Sequence, residues 1–284
     1  MNRAKGFLRR AGRTLLLMLF VAAGTILLVR FAPGFFADER EMDAKYATSA
    51  RNELQAAGAQ TLSQIAVREV KGWAHGDFGE SRQYEVPVTE LIVPRIQVSA
   101  WLLLRGIFYG WLLALCTALP VSAVRRGAAL WGIPFTLLLA TPTAALATAC
   151  ILAETGGPVL VLALLIAARE FKFLLNALRG TWSAPHLLQG RAQGLPLSAL
   201  IRVHILPGVA PQLYALATLS LVTALGALVP IEVIFNVPGL GQLAWSAVIN
   251  RDLPVLVAVS LLMACAIGVA GMLSGQKQTL EAAA

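Results

Sequence analysis

The chain has 284 residues, of which 57% are hydrophobic and only 13% are charged, and its formal net charge is +8. Soluble domains carry about a quarter charged residues, so this composition excludes a water-facing surface of ordinary size. The basic residues lie in short patches between apolar stretches, which argues against a nucleic-acid-binding face and for contact with membrane lipid. We therefore predict an all-α integral membrane protein that forms a single membrane domain over residues 1–284.

Residues 1–31 combine a basic tail with the first apolar segment, Thr14 to Phe31. The pattern imitates a signal peptide, but the apolar run is long and no small-x-small cleavage site precedes Arg30. We interpret it as an uncleaved first transmembrane helix. The extracytoplasmic segment, residues 32–96, follows between helices 1 and 2. Short helices are predicted over Asp38 to Leu54 and Thr61 to Trp73, with an irregular loop as the alternative.

Five further apolar segments form the predicted core, residues 97–274, since a spanning helix needs about 20 mostly apolar residues. They run from Gln97 to Val124, Leu130 to Leu152, Pro158 to Leu178, Ala210 to Val229 and Val255 to Leu273. The segment that begins at Pro158 carries Arg169 and Lys172, which must snorkel or line a polar interior. The sequence thus predicts six transmembrane helices.

The orientation of these helices follows from the lysines and arginines in short connections, which are enriched on the cytoplasmic side. Such residues occur in the N-terminal tail, between helices 2 and 3 at Arg125 and Arg126, and between helices 4 and 5. Residues 32–95 hold more acidic than basic residues. Both termini are therefore predicted to be cytoplasmic, with the acidic segment outside.

The connection between helices 4 and 5, residues 179–207, is too polar to span a membrane and too apolar for a plain linker. Gly194 stands in a turn context, where glycine permits a positive φ, and Pro196 can open a second short helix. We predict a helix–turn–helix on the membrane surface. Its apolar side chains and Arg191 suit either a cleft in a soluble partner or lipid headgroups.

This connection resembles the signature loop of permease subunits of binding-protein-dependent ABC importers, EAA-x3-G-x9-I-x-L-P. Gly194 takes the glycine position, but the EAA positions fall on Leu188, Gln189 and Gly190. The loop is more similar to the dipeptide, oligopeptide and nickel branch, A-R-A-x-G-L followed by H-x-L-P. Its matching residues are Arg191, Ala192, Gly194, Leu195, His204, Leu206 and Pro207. The resemblance implies that these residues, with Gln189 and Gly190, form a coupling loop that docks onto an ATPase.

Two outer segments are similar to the same branch. The pattern G-D-x-G-x-S…P-V-x-x-L-I is carried by Gly76, Asp77, Gly79, Ser81, Pro87, Val88, Leu91 and Ile92. The pattern E-x-x-F-x-x-P-G-L-G…A-x-x-x-R-D-x-P is carried by Glu232, Phe235, Pro238, Gly239, Leu240, Gly241, Ala247, Arg251, Asp252 and Pro254. Non-helical backbone at a membrane is buried in protein or faces water. We therefore expect the second pattern at an outer gate, near the seam with a partner subunit. Glu232 and Asp252 would contact the binding protein or balance Arg251.

Arg105 interrupts the second predicted helix, about 12 Å along it at 1.5 Å per residue, and departs from the family pattern. An arginine inside a membrane is a functional candidate because it is costly there. Arg105 could line the translocation pathway, pair with Glu154 or Glu170, or snorkel outward.

The resemblance implies a multi-pass permease subunit of the bacterial inner membrane. It would form half of the pathway for peptides, a related small solute or nickel, delivered by an extracytoplasmic binding protein. The expected partners are a second, related permease subunit and two ATPase subunits. The sequence has no G-x-x-x-x-G-K-[ST] loop, so ATP and Mg²⁺ are expected on the ATPases, with no cofactor, metal site or catalytic residue here.

A secondary transporter and an intramembrane enzyme are the alternatives. A secondary transporter would show inverted repeats and ionisable groups at mid-membrane, and neither is evident in the sequence. An enzyme would show a catalytic pattern such as HExxH or GxSxG, and neither occurs.

Overall fold

In a computed structural model of the chain, the described residues are 76–123, 128–182 and 194–281, with Gly72 and parts of a helical stretch between residues 12 and 27. Apart from Gly72, the helices predicted over Asp38 to Leu54 and Thr61 to Trp73 lie outside the described residues, as does the coupling loop from 183 to 193. Regular structure in the described part is helical, apart from one isolated β-bridge between Glu80 and Pro87.

From residue 76 onward, the described residues form eight α-helices. They are α1 (Val88–Ala123), α2 (Ala128–Ala140), α3 (Thr143–Leu152), α4 (Pro158–Trp182), α5 (Leu197–Leu200), α6 (Leu206–Ile234), α7 (Leu240–Ile249) and α8 (Leu253–Glu281). A π-helical turn, Ile201–Ile205, joins α5 to α6. In the described part, stretches within α1, α6 and α8 are each long and apolar enough to cross a membrane, and the bent pair α2–α3 adds a fourth if it forms one span. The all-α membrane class is confirmed, while six spans and cytoplasmic termini stay predictions.

The second predicted helix begins earlier than expected. Its predicted start at Gln97 was wrong, because α1 already begins at Val88 and continues through Pro94. The Pro94-Arg95 pair resembles a helix boundary in the sequence. In the structure Arg95 donates a hydrogen bond to the backbone oxygen of Leu91, at 2.8 Å, and the helix is not interrupted. The last residues of the predicted segment 32–96 are therefore helical, while its extracytoplasmic location stays a prediction.

The third predicted helix, Leu130 to Leu152, is interrupted in the structure. It divides into α2 and α3, whose axes differ by 98°. The break falls at Thr141 and Pro142, and Pro142 precedes the first residue of α3. Proline has no backbone N–H and disrupts the helical hydrogen-bond ladder, so it marks the point where α2 stops.

The contact between α1 and α4 forms the centre of the bundle. Small residues recur at every fourth position of α1, at Gly106, Gly110, Ala114 and Ala118, and both alanines are completely buried. A Cβ atom on Gly110 would lie 2.7 Å from the Cβ of Ile166 in α4, so the helices approach closely only because this residue is glycine. This is the small-xxx-small pattern of membrane helix pairs, readable in the sequence.

Helix α4 turns Glu170 and Arg169 toward the interior. Glu170 is completely buried and accepts a hydrogen bond from the Ser220 hydroxyl of α6, at 2.8 Å. The indole N–H of Trp111 in α1 donates to the same hydroxyl, at 3.0 Å, and Arg169 donates to Thr223 in α6. Of the two alternatives for Arg169, the structure shows contact with a polar interior. Ser220 thus joins α1, α4 and α6.

Candidate functional site

The residues of the two outer sequence patterns come together where α6 ends, α7 begins and α1 passes beside them. Glu232 lies in the last turn of α6 and is completely buried. The chain turns after Ile234 and enters α7 through Gly239, which occupies the N-cap position and has no side chain to cap the helix. The first backbone N–H groups of a helix have no partner within that helix, so α7 needs acceptors from elsewhere.

Glu232 and Ser99 supply those acceptors, and we call this group, with the N–H groups that it binds, the α7 cap. The Oε2 atom of Glu232 accepts the N–H of Gly241, at 2.7 Å, and of Gln242, at 3.2 Å. Its Oε1 atom accepts the hydroxyl of Ser99 in α1, at 2.7 Å. The Ser99 oxygen in turn accepts the N–H of Leu240, at 2.7 Å. A carboxylate here also complements the positive end of the helix dipole.

The two glycines of the P-G-L-G pattern make room for this carboxylate. A Cβ on Gly239 would overlap the Glu232 carboxyl group. A Cβ on Gly241 would lie 2.8 Å from the Cα and 2.9 Å from the backbone nitrogen of Val229 in α6. Both glycines are therefore required by close approach, which places the α7 backbone directly against α6.

The second contact joins the G-D-x-G-x-S pattern to Asp252, which immediately precedes α8. The Oδ2 atom of Asp252 accepts the Ser81 hydroxyl, and the backbone N–H of Gln83 at 3.3 Å. Asp252 is 1% exposed, and its Oδ1 atom is buried without a hydrogen-bond partner among the described residues. We call this group the Ser81–Asp252 contact. It fastens the turn that precedes α1 to the start of α8.

We expect Ser81 and Asp252 to be energetically coupled. Changing either residue to alanine leaves a buried polar group without its partner, which costs about 1–3 kcal/mol. A double-mutant cycle on the thermal unfolding of the purified transporter should give a coupling energy of at least about 0.5 kcal/mol.

The matched control for this cycle is Thr148→Ala, because the Thr148 hydroxyl binds only within its own helix, at the backbone oxygen of Ala144. Its effect should add to that of Asp252→Ala. A cycle in which Ser81→Ala and Asp252→Ala are also additive would contradict the coupling.

A cleft of about 400 Å³ opens beside α7. Tyr84, Arg95, Gln242, Trp245 and Ser246 are among its lining residues. The Ser246 hydroxyl donates to Gln83 Oε1 at 3.1 Å, and the Arg95 guanidinium lies 6.0 Å from the centre of the Tyr84 ring. The cleft therefore carries aromatic and polar groups side by side.

The remaining predicted outer-gate residues surround this site. Pro238 and Arg251 are exposed, and Arg251 adopts a φ of 54° in the turn between α7 and α8. Within this chain Glu232 faces the start of α7, and Asp252 faces Ser81. The buried capping role of Glu232 differs from both alternatives that the sequence offered.

Of the coupling-loop residues, Gly194 has a φ of 74°, which confirms the predicted turn, and Leu195 is 38% exposed. The short helix predicted after Pro196 is confirmed as α5, which continues through the π-helical turn into α6. The backbones of His204 and Leu206 lie in this helical run, and Pro207 is exposed. Gln189, Gly190, Arg191 and Ala192 lie outside the described residues.

Arg105 is separate from both regions. It is exposed on α1, and its guanidinium lies 5.3 Å from the centre of the Trp101 ring. Glu170, one of its two predicted partners, is bound by Ser220 instead. With α1 beginning at Val88, Arg105 lies about 26 Å along the helix at 1.5 Å per residue, deeper than the predicted 12 Å.

Two features of the site were missed at the sequence level. The sequence predicts non-helical backbone at the P-G-L-G pattern, whereas the structure has helix α7 over Leu240–Ile249, a run of mostly helix-compatible residues after Pro-Gly. Ser99 was not singled out, because a serine within an apolar segment satisfies its hydroxyl on its own helix in many proteins. The part of the chain that the structure describes holds no group of His, Cys, Asp and Glu side chains arranged to bind a metal ion.

Similarity to known proteins extends over most of the chain. Residues 106–276, more than half of it, match the family described as binding-protein-dependent transport system inner membrane component. The oligopeptide transport system permease protein OppB of Escherichia coli is 24% identical over 91% of this chain and 92% of its own length. The metal-staphylopine import system permease protein CntB of Staphylococcus aureus is 31% identical over 38% of this chain and 34% of its own length. A putative peptide permease protein of Brucella ovis is 27% identical over 68% of this chain and 70% of its own length.

Proposed function

The chain belongs to the family of binding-protein-dependent transport system inner membrane components, and from this premise we propose that it forms half of a translocation pathway for oligopeptides or a related solute. It is the multi-pass inner-membrane permease subunit of an ABC importer, a transport component and not a catalytic one. Family membership decides against the secondary transporter and the intramembrane enzyme. A binding protein and an ATPase are the partners that such a system requires.

The proposed substrate class rests on the relatives. The two that align over two thirds or more of this chain are an oligopeptide permease and a putative peptide permease. The metal-staphylopine permease aligns over a shorter region. We infer peptides as the principal cargo, with a metal complex or nickel as the second candidate. The proposed complex contains this chain, a second, related permease subunit, two ATPase subunits and one binding protein.

The position of the two functional regions on α6 is the observation that supports this function best. Gly194 and Leu195 lie just before the N-terminal end of the α5–α6 run, and Glu232 lies near its C-terminal end. Helix α6 has 29 residues, which is about 44 Å at 1.5 Å per residue and exceeds the membrane core of about 30 Å. The coupling loop and the outer site are therefore proposed to face opposite sides of the membrane.

The same geometry supports a route for coupling. Nucleotide-driven movement of an ATPase docked on residues 179–207 would move the inner ends of α4 and α6 together. The Ser220 hydrogen bonds connect α6 to Glu170 of α4 and to Trp111 of α1. The far end of α6 carries Glu232 and with it the start of α7. A displacement of the loop would therefore reach the outer site through rigid helices.

The proposed topology can be tested by cysteine accessibility in intact cells. Leu195→Cys should react with a membrane-impermeant thiol reagent only after the inner face is exposed. Ile249→Cys, on the exposed side of α7, should react from outside. The native Cys116, Cys150 and Cys265 are replaced by serine in the background strain. Labelling of Leu195→Cys from outside would overturn the coupling loop, six-span orientation and cytoplasmic termini together.

A further inference from the structure

Arg105 lies on an exposed stripe of α1 and is not used by either region described above. The apolar span within α1, Val88–Ser122, has 35 residues, and Arg105 is at its middle. The stripe is formed by large exposed side chains at helical spacing: Trp101, Leu104, Arg105, Phe108, Tyr109 and Leu112. It lies away from Gly106 and Gly110, which face α4. The described residues thus leave uncovered a stripe of three aromatic residues around one cation.

Hydrocarbon is a poor environment for this stripe. A guanidinium at the middle of a span is strongly disfavoured against lipid, and arginines in spanning helices face protein interiors or water-filled cavities. A side chain about 26 Å from the helix start is too deep to reach the outer headgroups if the helix runs across the membrane. Among the described residues no carboxylate pairs with Arg105: Glu170 accepts its hydrogen bond from Ser220, and Glu232 accepts from Ser99 and Gly241. The described part of the chain thus supplies no anion to complement Arg105, and a solute in the pathway can supply one.

We propose that Arg105, with Trp101, Phe108 and Tyr109, forms a subsite of the translocation pathway that binds a carboxylate of the transported solute, such as the C-terminal carboxylate of a peptide. The inference rests on the proposed function and names the chemical group that the pathway recognises. A guanidinium presents planar paired donors that match a carboxylate. The Trp101 ring, whose centre lies 5.3 Å from the guanidinium carbon, attracts the cation and helps to hold it in place.

The aromatic side chains provide the second half of the subsite. The Phe108 and Tyr109 rings contact each other edge to face, with centroids 5.4 Å apart, and both are at least half exposed. They lie within one turn of Arg105 and offer apolar area that accepts varied peptide side chains. A single ion pair in a hydrated pathway is weak, because water screens exposed charges. The subsite can therefore guide a solute without trapping it.

The experiment uses the complete transporter in proteoliposomes with its own binding protein. Uptake is measured for a mixture of tripeptides with free C-terminal carboxylates and for the same mixture with C-terminal amides. The intact transporter should prefer the free carboxylates. Arg105→Gln should reduce that preference about tenfold, equivalent to about 1.4 kcal/mol. Arg105→Lys keeps the charge without the paired donors and should give an intermediate preference.

Controls separate recognition from assembly. Leu113→Gln places the same new side chain on an exposed position of α1 outside the stripe and should leave the preference unchanged. ATP hydrolysis without binding protein, measured for each variant, reports that the complex has assembled. If Arg105→Gln lowers the uptake of acids and amides equally, Arg105 pairs with the partner subunit or supports the fold, and the proposal is wrong. The proposal is also wrong if Arg105→Gln leaves the preference for free carboxylates unchanged, or if the intact transporter shows no such preference.

A failure of the underlying function gives a different result. If the intact transporter assembles and hydrolyses ATP but moves neither form of the tripeptides, the peptide class proposed above is wrong. The carboxylate subsite, which rests on that class, is then wrong with it. A result in which both forms are transported isolates the role of Arg105.

Discussion

Replacing Glu232 by alanine is expected to lower the free energy of unfolding by about 3 kcal/mol and to remove most transport. The change leaves the N–H groups of Gly241 and Gln242 without acceptors in a buried position and removes the partner of the Ser99 hydroxyl. Each buried polar group without a partner costs about 1–3 kcal/mol. Thermal unfolding of the purified transporter measures the loss, and uptake with the binding protein measures its consequence.

The conservative variant Glu232→Gln separates the effect of the lost hydrogen-bond acceptors from the effect of the lost side-chain volume. Its amide oxygen can accept the two N–H groups at the Oε2 position, while its NH₂ group faces Ser99. The charge that complements the helix dipole is lost, a contribution of about 0.3–1 kcal/mol. Glu232→Gln should therefore lie between the wild-type chain and Glu232→Ala.

The control is Glu90→Ala, which removes an exposed glutamate from the first turn of α1. Its effect should not exceed about 1 kcal/mol, the value of an exposed charge at a helix end. Equal stability of Glu232→Ala and Glu90→Ala would show that the α7 cap does not hold the outer site together.

Replacing Gly241 by alanine is expected to separate α7 from α6 and to cost about 1–3 kcal/mol, the usual penalty of overpacking. The new methyl group would meet the Cα and backbone nitrogen of Val229, at 2.8 and 2.9 Å. Backbone atoms within a helix cannot rotate away as a side chain can. Relief must therefore come from moving α7, which also lengthens the hydrogen bonds to Glu232.

A matched substitution on α6 provides the comparison. Gly226 is exposed, and a Cβ added there would have no heavy atom within 4 Å outside its own helix. Gly226→Ala should be neutral or slightly stabilising, because alanine favours a helix by about 1 kcal/mol over glycine. Thermal unfolding and uptake should therefore fall for Gly241→Ala only. A loss of the same size in both variants would show that replacing a helical glycine is costly in general, and that the contact between α6 and α7 is not the cause.

The sequence by itself determined the class of the protein and its family. The low fraction of charged residues and the long apolar runs exclude a soluble fold with a water-facing surface of ordinary size. Three motifs in a fixed order identify the permease family. Local chemistry also placed the turn at Gly194 and the helix after Pro196, because glycine and proline act through the backbone of their own neighbourhood.

Other local features were readable but were misjudged. Pro142 marks the break between α2 and α3, whereas Pro94 lies inside α1 without ending it. The same residue type thus has opposite outcomes in two apolar segments. Packing of the surrounding helices decides between them, and a single sequence does not contain that packing.

Only the tertiary structure showed which polar residues meet. Glu232 and Ser99 lie in different helices, and Ser81 and Asp252 belong to motifs at opposite ends of the core. In a membrane protein both the buried and the lipid-facing sides of a helix are apolar, so hydrophobic periodicity does not reveal which face is inside. The partners of a buried carboxylate are fixed by helix crossings, which bring distant residues within hydrogen-bonding distance.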